Sequence, residues 1–458
     1  MKKQITILTI LIVVAVSSII YSLLENNDDF QLNNSILEKL NLLDVNISSD
    51  QPIFEKIKWA QILDEQGNEE LSKKVLSKIK SDHEIEEEFR LNVIKYDTEN
   101  IELIETKQEA SWTAELYRNN AYPCSLEGYQ TFVLAYKNEI PKEDPHPLLI
   151  RLHGGGIGSY FPNEKYHPSE YFPSLVSEES FEYFDELIQE EGLAEEFFKH
   201  PANFRMLIPS MCNHDAYSGI GTLDVYNPNL NSNQELKSIN GLLATRAALE
   251  FSKEEVNNTH IFVHGLSAGG VGAMNLIISL GQNGEKLSGA VLDSAIFYPY
   301  GAKVIEQRCT DFEFNFQTIL NRIGYFFEIE NQPHNAIEKN LVLTPIYNVW
   351  VSNDERWSCG EKIISIKNNG ELITQEGNWF QQNQLNEAIE KINPNNVSEF
   401  HQLCVDNVDT IFPTPKCSKH APTKYNSEKL GGDKFQNGED YNKVIFEWIK
   451  NRLGEPYP

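Results

Sequence analysis

Ser267 stands inside HIFVHGLSAGGVGAMNL, residues 260–276, with Gly265 two positions before it and Gly269 two after. The stretch opens on apolar, β-branched residues, passes through a knot of small ones and ends in residues that favour helix. Strand, sharp turn and helix, in that order, form the context in which a G-x-S-x-G serine acts as a nucleophile. The turn strains the backbone, and bulky flanking side chains would collide with the adjoining strand and helix. Glycine at both flanks removes the collision. The helix N-terminus behind the turn favours developing negative charge. The chemistry open to such a hydroxyl is attack on an acyl carbon, leaving an acyl-serine.

A second glycine run supports that chemistry. LLIRLHGGGIGSY places His153, Gly154, Gly155 and Gly156 directly after another apolar, strand-like run. Backbone N–H groups of Gly155 and Gly156, with that of Ala268 after the serine, would hold an oxyanion. His153 is read as a brace for this loop and not as a proton carrier.

A serine hydroxyl needs a base, and the base needs an acid to orient it. Beyond Ser267 the histidines are His334, His401 and His420. His420 lies in PTPKCSKHAPTKYN, a polar loop just before the closing helical stretch YNKVIFEWIKNRL, and is the expected base. Two aspartates compete for the acid. Asp354 follows the apolar run LVLTPIYNVWVS, with Glu355 beside it, and Asp293 ends GAVLDSA. The order nucleophile, acid, histidine favours Asp354, in the loop two strands beyond the serine. Asp293 is then read as capping a helix or ordering the site.

The elements that must position these groups are legible around them. RLNVIKY, QTFVLAY, PLLIRLHGGG, FRMLIPSMC, HIFVHGLSAGG, GAVLDSA and LVLTPIYNVWVS are short apolar runs, several without alternation, as for strands buried on both faces. SINGLLATRAALEF and GAMNLIISLGQ separate them with helical spacing. The expected class is α/β: a mainly parallel sheet with helices on both faces. Two acidic, aromatic-rich inserts interrupt it and are candidates for a cap. The first has Phe181, Phe184, Leu187 and Ile188 on one helical face, and the second covers roughly 305 to 340.

The N-terminus carries Lys2 and Lys3, then an apolar run from about Ile5 to Leu24. Its charge order is that of a secretory signal, and its length also suits a membrane anchor. Both alternatives, a cleaved signal or an uncleaved anchor through residues 5–24, put the rest of the chain outside the cytoplasm. Residues 1–26 are assigned to this leader, 27–90 to a helical lead-in and 91–458 to the catalytic domain. The six cysteines (124, 212, 309, 359, 404 and 417) suit disulfides in an exported protein. No His/Cys cluster has metal spacing, and no metal or organic cofactor is implied. A net charge of −28 argues against nucleic acid as a partner and mildly against polyanionic polysaccharide.

Four segments together resemble the pectin acetylesterase and Notum family of α/β hydrolases: PCSLEGYQTFVLAYK with HPLLIRLHGGG; AEEFFKHPANFRMLIPSMCNHDAYSGIG; THIFVHGLSAGGVGAMN; and KCSKHAPTKYN with YNKVIFEWI. The likeness runs over roughly 110 to 450. It implies the α/β-hydrolase fold and a triad of Ser267, Asp354 and His420. It also singles out Asp215 and Cys212 as neighbours of the site and implies that several cysteines pair. The family carries an acidic residue before its Gly-rich loop, where this chain has His153, a pattern more like that of lipases and carboxylesterases.

The expectation is an exported serine ester hydrolase that removes O-acetyl groups from carbohydrate. Its alternatives are a long-chain acyl esterase on lipid or lipidated protein, a peptidase using the same triad, and a non-catalytic binding domain on the same scaffold.

Overall fold

The structure, a computed structural model, describes residues 96–155, 159–160, 166–167, 177–189, 192–223, 238–295, 333–350, 364–368, 371–375, 382, 385–389, 423 and 441–454. The chain divides into two compact units, Met1–Ser81 and Asp82–Pro458, and every described residue belongs to the second. The expected leader and lead-in and most of the second insert lie outside the described residues, as do Gly156, Asp354, His401 and His420.

The centre is an eight-stranded sheet. Its strands are β1 (Ile101–Gln108), β2 (Trp112–Pro123), β3 (Tyr129–Lys137), β4 (His146–Leu152), β5 (Arg205–Pro209), β6 (Asn258–Leu266), β7 (Gly289–Asp293) and β8 (Ile346–Val349). They lie in the order β1-β2-β3-β5-β4-β6-β7-β8. The first three pair antiparallel with their neighbours, and β3 pairs antiparallel with β5. From β5 onward each pairing is parallel. This is the expected mainly parallel α/β sheet.

Burial on both faces explains the unbroken apolar runs. In β4, Leu148, Ile150 and Leu152 enter one core cluster while Leu149 enters the other. Helices α3 (Gly241–Glu255) and α4 (Ala268–Gln282) cover the first face. On the second lie α1 (Phe181–Ile188), α2 (Leu193–Lys199) and α6 (Tyr441–Leu453). Helix α5 (Pro333–Glu338) adds Ala336 and Ile337 to the first cluster. The residues α4 buries include Met274, Leu276, Ile277 and Ile278, so this helix is apolar around much of its circumference and runs through the core.

The first insert is helical at the expected residues, and Phe181, Phe184, Leu187 and Ile188 are its buried face. Those side chains join the cluster of Val133, Met206 and Phe262, so α1 is part of the layer that covers the sheet. An apolar stripe at helical spacing needs an apolar partner, and the sheet face supplies it. Cys124, just after β2, is bonded to Cys212, just after β5, across 88 residues of chain. That pairing meets the expectation of disulfides for these two cysteines.

The order of strands places the site. After β4 the chain moves to one side of it for β5, then returns to the other side for β6. Such a reversal opens a crevice at the carboxyl ends of the strands. His153 follows the last residue of β4, and Ser267 follows the last residue of β6.

Candidate active site

The serine turn has the geometry its sequence calls for. Ser267 lies between β6 and α4 with φ 53° and ψ −114°, a left-handed conformation that costs about 1–3 kcal/mol for a residue with a side chain. It is held there from two directions. Its N–H donates to Asp293 O at 2.7 Å, and its carbonyl accepts from Gly270 N at 2.9 Å in the first turn of the helix. Ser267 is buried at the margin, 9% exposed, which leaves the residue reachable from the crevice.

The flanking glycines are needed for close approach. A Cβ on Gly265 would stand 2.0 Å from Gly269 O, and one on Gly269 would stand 2.0 Å from Leu152 O. The helix start therefore rests directly on the end of β4. The Gly-rich loop lies alongside: a Cβ on Gly154 would be 3.4 Å from Ser267 Cβ and 3.2 Å from Leu266 O. Gly155 is the next residue of that loop, and Ala268 is the first residue of α4, where a helix leaves N–H groups without intrahelical acceptors. Loop and helix start thus lie beside the serine.

His153 is held by several hydrogen-bonding groups. It is buried, and its N–H donates to Tyr217 Oη at 3.2 Å. Its Nδ1 lies 2.7 Å from Gly154 O and 3.2 Å from Tyr183 Oη, and its Nε2 lies 3.5 Å from Glu179 Oε2. Tyr183 and Tyr217 meet its ring edge to face at 5.3 and 5.8 Å. Burial pushes both phenols far up, so they stay protonated and act as hydrogen-bonding groups. Glu179 is tied in by Met211 N, which donates to its Oε1 at 2.9 Å.

Asp215 acts one step further out. Its carboxylate accepts from Tyr217 N at 3.1 Å, Gly219 N at 2.9 Å and Gly241 N at 2.7 Å. The last of these is the first residue of α3, so the carboxylate satisfies an orphan helix donor and faces the positive end of the helix. The same bonds shape the turn in which His214, Ala216 and Tyr217 all have positive φ. Asp215 therefore holds Tyr217, and Tyr217 holds His153.

Asp293 ends β7, in register with Leu266 at the end of β6. Its Oδ2 accepts from Thr423 N at 2.8 Å and from Thr423 Oγ1 at 2.5 Å, and its Oδ1 accepts from Ser294 Oγ at 2.9 Å. Thr423 Oγ1 also lies 2.9 Å from His264 Nε2. Burial, with the Arg151 cation adding to it, holds the His264 imidazole well below the usual histidine range.

Of the expected residues, Ser267, Ala268, His153 and Gly155 are brought together, with Asp293 adjoining through the Ser267 amide and Asp215 through Tyr217. Asp354 lies in the chain five positions beyond Val349, the last residue of β8, and outside the described residues along with His420 and Gly156. His334 is half-buried on α5, where burial lowers its proton affinity. Among the described residues no group of His, Cys, Asp or Glu could hold a metal ion. Glu179, Tyr183, Tyr217, His264 and Thr423 were not picked out from the sequence. Tyr217 sits in the AYSG of the aromatic-x-Gly segment, but a lone aromatic there carries no sign that it reaches His153.

No protein-family model matches the chain, and no curated protein does. Solved structures are similar to it at low identity. Esterase B from Lactobacillus rhamnosus is 12% identical with a TM-score of 0.38, over 92% of this chain and 95% of that one. An S-formylglutathione hydrolase from Agrobacterium tumefaciens is 10% identical with a TM-score of 0.38, over 77% and 99%. Carboxyl esterase 2 from Tuber melanosporum is 11% identical with a TM-score of 0.39, over 78% and 90%. At this degree of likeness the neighbours carry no argument for the chemistry of this chain.

Proposed function

We propose that the chain is a serine carboxylic-ester hydrolase working through an acyl-Ser267 intermediate. One observation carries this reading: Ser267 occupies a strained left-handed turn with the Gly154 backbone packed against it and the first N–H groups of α4 beside it. A serine with a structural role gains nothing from that strain, whereas a nucleophile gains exposure and an oxyanion site.

In the proposed reaction, His420 takes the proton from Ser267 Oγ as the oxygen bonds to the acyl carbon. The carbonyl oxygen becomes an oxyanion held by the N–H groups of Gly155, Gly156 and Ala268. Collapse breaks the ester bond, and His420 returns the proton to the leaving alcohol. Water, deprotonated by the same imidazole, then releases the acid. Asp354 holds the imidazole tautomer and stabilises the imidazolium. Loss of a single oxyanion donor in such a site costs about 10²–10³ in kcat.

The substrate reading is O-acetyl groups on carbohydrate, supported by the resemblance of the serine and C-terminal segments to pectin acetylesterases. Export, as a secreted chain or one held by residues 5–24, is supported by the charge order of the N-terminus and by the Cys124–Cys212 disulfide. Among the described residues no helix is long and apolar enough to cross a membrane, and residues 5–24 lie outside them.

The test is hydrolysis of p-nitrophenyl esters from acetate to palmitate by the full-length protein and by Ser267→Ala. The reading expects acetate to be cleaved best and Ser267→Ala to lose the activity. A maximum at long chains would move the substrate to lipid or lipidated protein, in line with the HGGG pattern. Equal rates for wild type and variant on every ester would remove the esterase assignment.

A further inference from the structure

The mechanism above gives Asp293 nothing to do, yet this residue joins two parts of the site. Its carbonyl oxygen accepts the Ser267 N–H at 2.7 Å, and its carboxylate holds Thr423 by both the main-chain N–H and the hydroxyl. Thr423 lies three positions after His420 and 130 positions from Asp293 in the sequence. We propose that Asp293 is a positioning residue, which ties the segment bearing His420 to the strand end that also holds the Ser267 amide. The inference rests on the esterase reading and on His420 as its base.

The hydrogen inventory makes the tie specific. The Thr423 hydroxyl donates its proton to Asp293 Oδ2. The hydroxyl oxygen is then an acceptor, and the partner at 2.9 Å, His264 Nε2, must carry a proton. His264 is fully buried and is kept neutral by that burial, so it is the Nε2–H tautomer, locked against Thr423. Thr423 is thus gripped by β7 through Asp293 and by β6 through His264, while Ser294 Oγ holds the other oxygen of the carboxylate at 2.9 Å. Both strands end at the serine: β6 leads into Ser267, and the end of β7 bonds its amide. A base must stand within hydrogen-bonding reach of its hydroxyl, and a misplacement of about 1 Å can cost about 10²-fold. A base 153 positions from its serine in the sequence reaches that precision only if something rigid holds its segment.

The experiment compares Thr423→Val, Thr423→Ser and Asp293→Asn with the wild-type full-length protein. It measures kcat and KM on p-nitrophenyl acetate, the rate at which a fluorophosphonate labels Ser267, and thermal unfolding. Thr423→Val keeps the shape and removes the hydroxyl. It is expected to lower kcat by about 10- to 100-fold with KM within about twofold, and to slow labelling in proportion. Thr423→Ser restores the hydroxyl and is expected to recover most of kcat. Asp293→Asn is expected to lower kcat like Thr423→Val. Three outcomes would overturn the proposal. Thr423→Ser failing as badly as Thr423→Val would mean that the hydroxyl alone does not secure the segment, so the tie would not be the hydrogen bond to Asp293. Thr423→Val with wild-type kcat beside a collapsed Asp293→Asn would make Asp293 act on the imidazole itself. Wild-type kcat in both Thr423→Val and Asp293→Asn would leave the tie without consequence. In each of these the Ser267-dependent activity of the wild type survives, so the esterase reading stands. A wild type without that activity would overturn the esterase reading, and this inference with it.

Discussion

Ser267 sits where an L-residue is least comfortable, at φ 53° and ψ −114°. Glycine accepts that region without a Cβ penalty, whereas serine and alanine do not. Ser267→Gly is therefore expected to unfold at a higher temperature than Ser267→Ala, with a difference of about 1 kcal/mol in stability. Thermal melts of the two variants check this, and a less stable glycine variant would contradict the strained turn. Much at this scale was readable from residue types. Gly265, Gly269 and Ser267 announce a sharp turn because only small residues fit where Cβ atoms would stand 2.0 Å from carbonyl oxygens. Thr423 and His264 were not readable. A threonine in a polar loop and a histidine in an apolar strand acquire their roles only when the chain closes over 159 positions and puts them 2.9 Å apart.

The elements set how precisely those residues meet. β4 and β6 pair in parallel with Gly265 opposite Leu152, so the loops that follow them emerge side by side. The strands themselves were evident as apolar runs, because burial on both faces removes alternation. Their order was not. Nothing in the local sequence of β5 says that it inserts between β3 and β4, since that choice is made by tertiary pairing. The Gly-rich loop also needs a clamp, and Tyr217 is it: its oxygen accepts the His153 N–H and its hydroxyl donates to Pro209 O at 3.4 Å. Tyr217→Phe leaves a buried N–H without its acceptor, which costs about 1–3 kcal/mol. It should lower kcat on p-nitrophenyl acetate more than it changes KM, because the loop carries Gly155, the proposed oxyanion donor. Steady-state kinetics beside a denaturant titration check this, and an unchanged kcat with lowered stability would confine Tyr217 to a structural role.

Over the whole molecule, the C-terminal ends of four parallel strands converge on one edge. β4 delivers the Gly-rich loop, β6 the serine and β7 Asp293, and β8 ends at Val349, five positions before Asp354 in the sequence. At a net charge of −28 the surface repels polyanions, which suits a neutral acetylated glycan better than bare polygalacturonate. The Cys124–Cys212 bond links the ends of β2 and β5 and stiffens the segment that leads to Asp215 and Tyr217. The proposed reaction turns on a single covalent event at Ser267, so the most direct test reads that event in the intact protein. A fluorophosphonate is added to the purified full-length protein, to Ser267→Ala and to His420→Ala; intact mass and peptide mapping then locate the adduct. The account predicts one adduct per chain, on Ser267, absent from Ser267→Ala and formed far more slowly in His420→Ala. An unlabelled Ser267 in a protein that still hydrolyses esters, or an adduct on another serine, would contradict it.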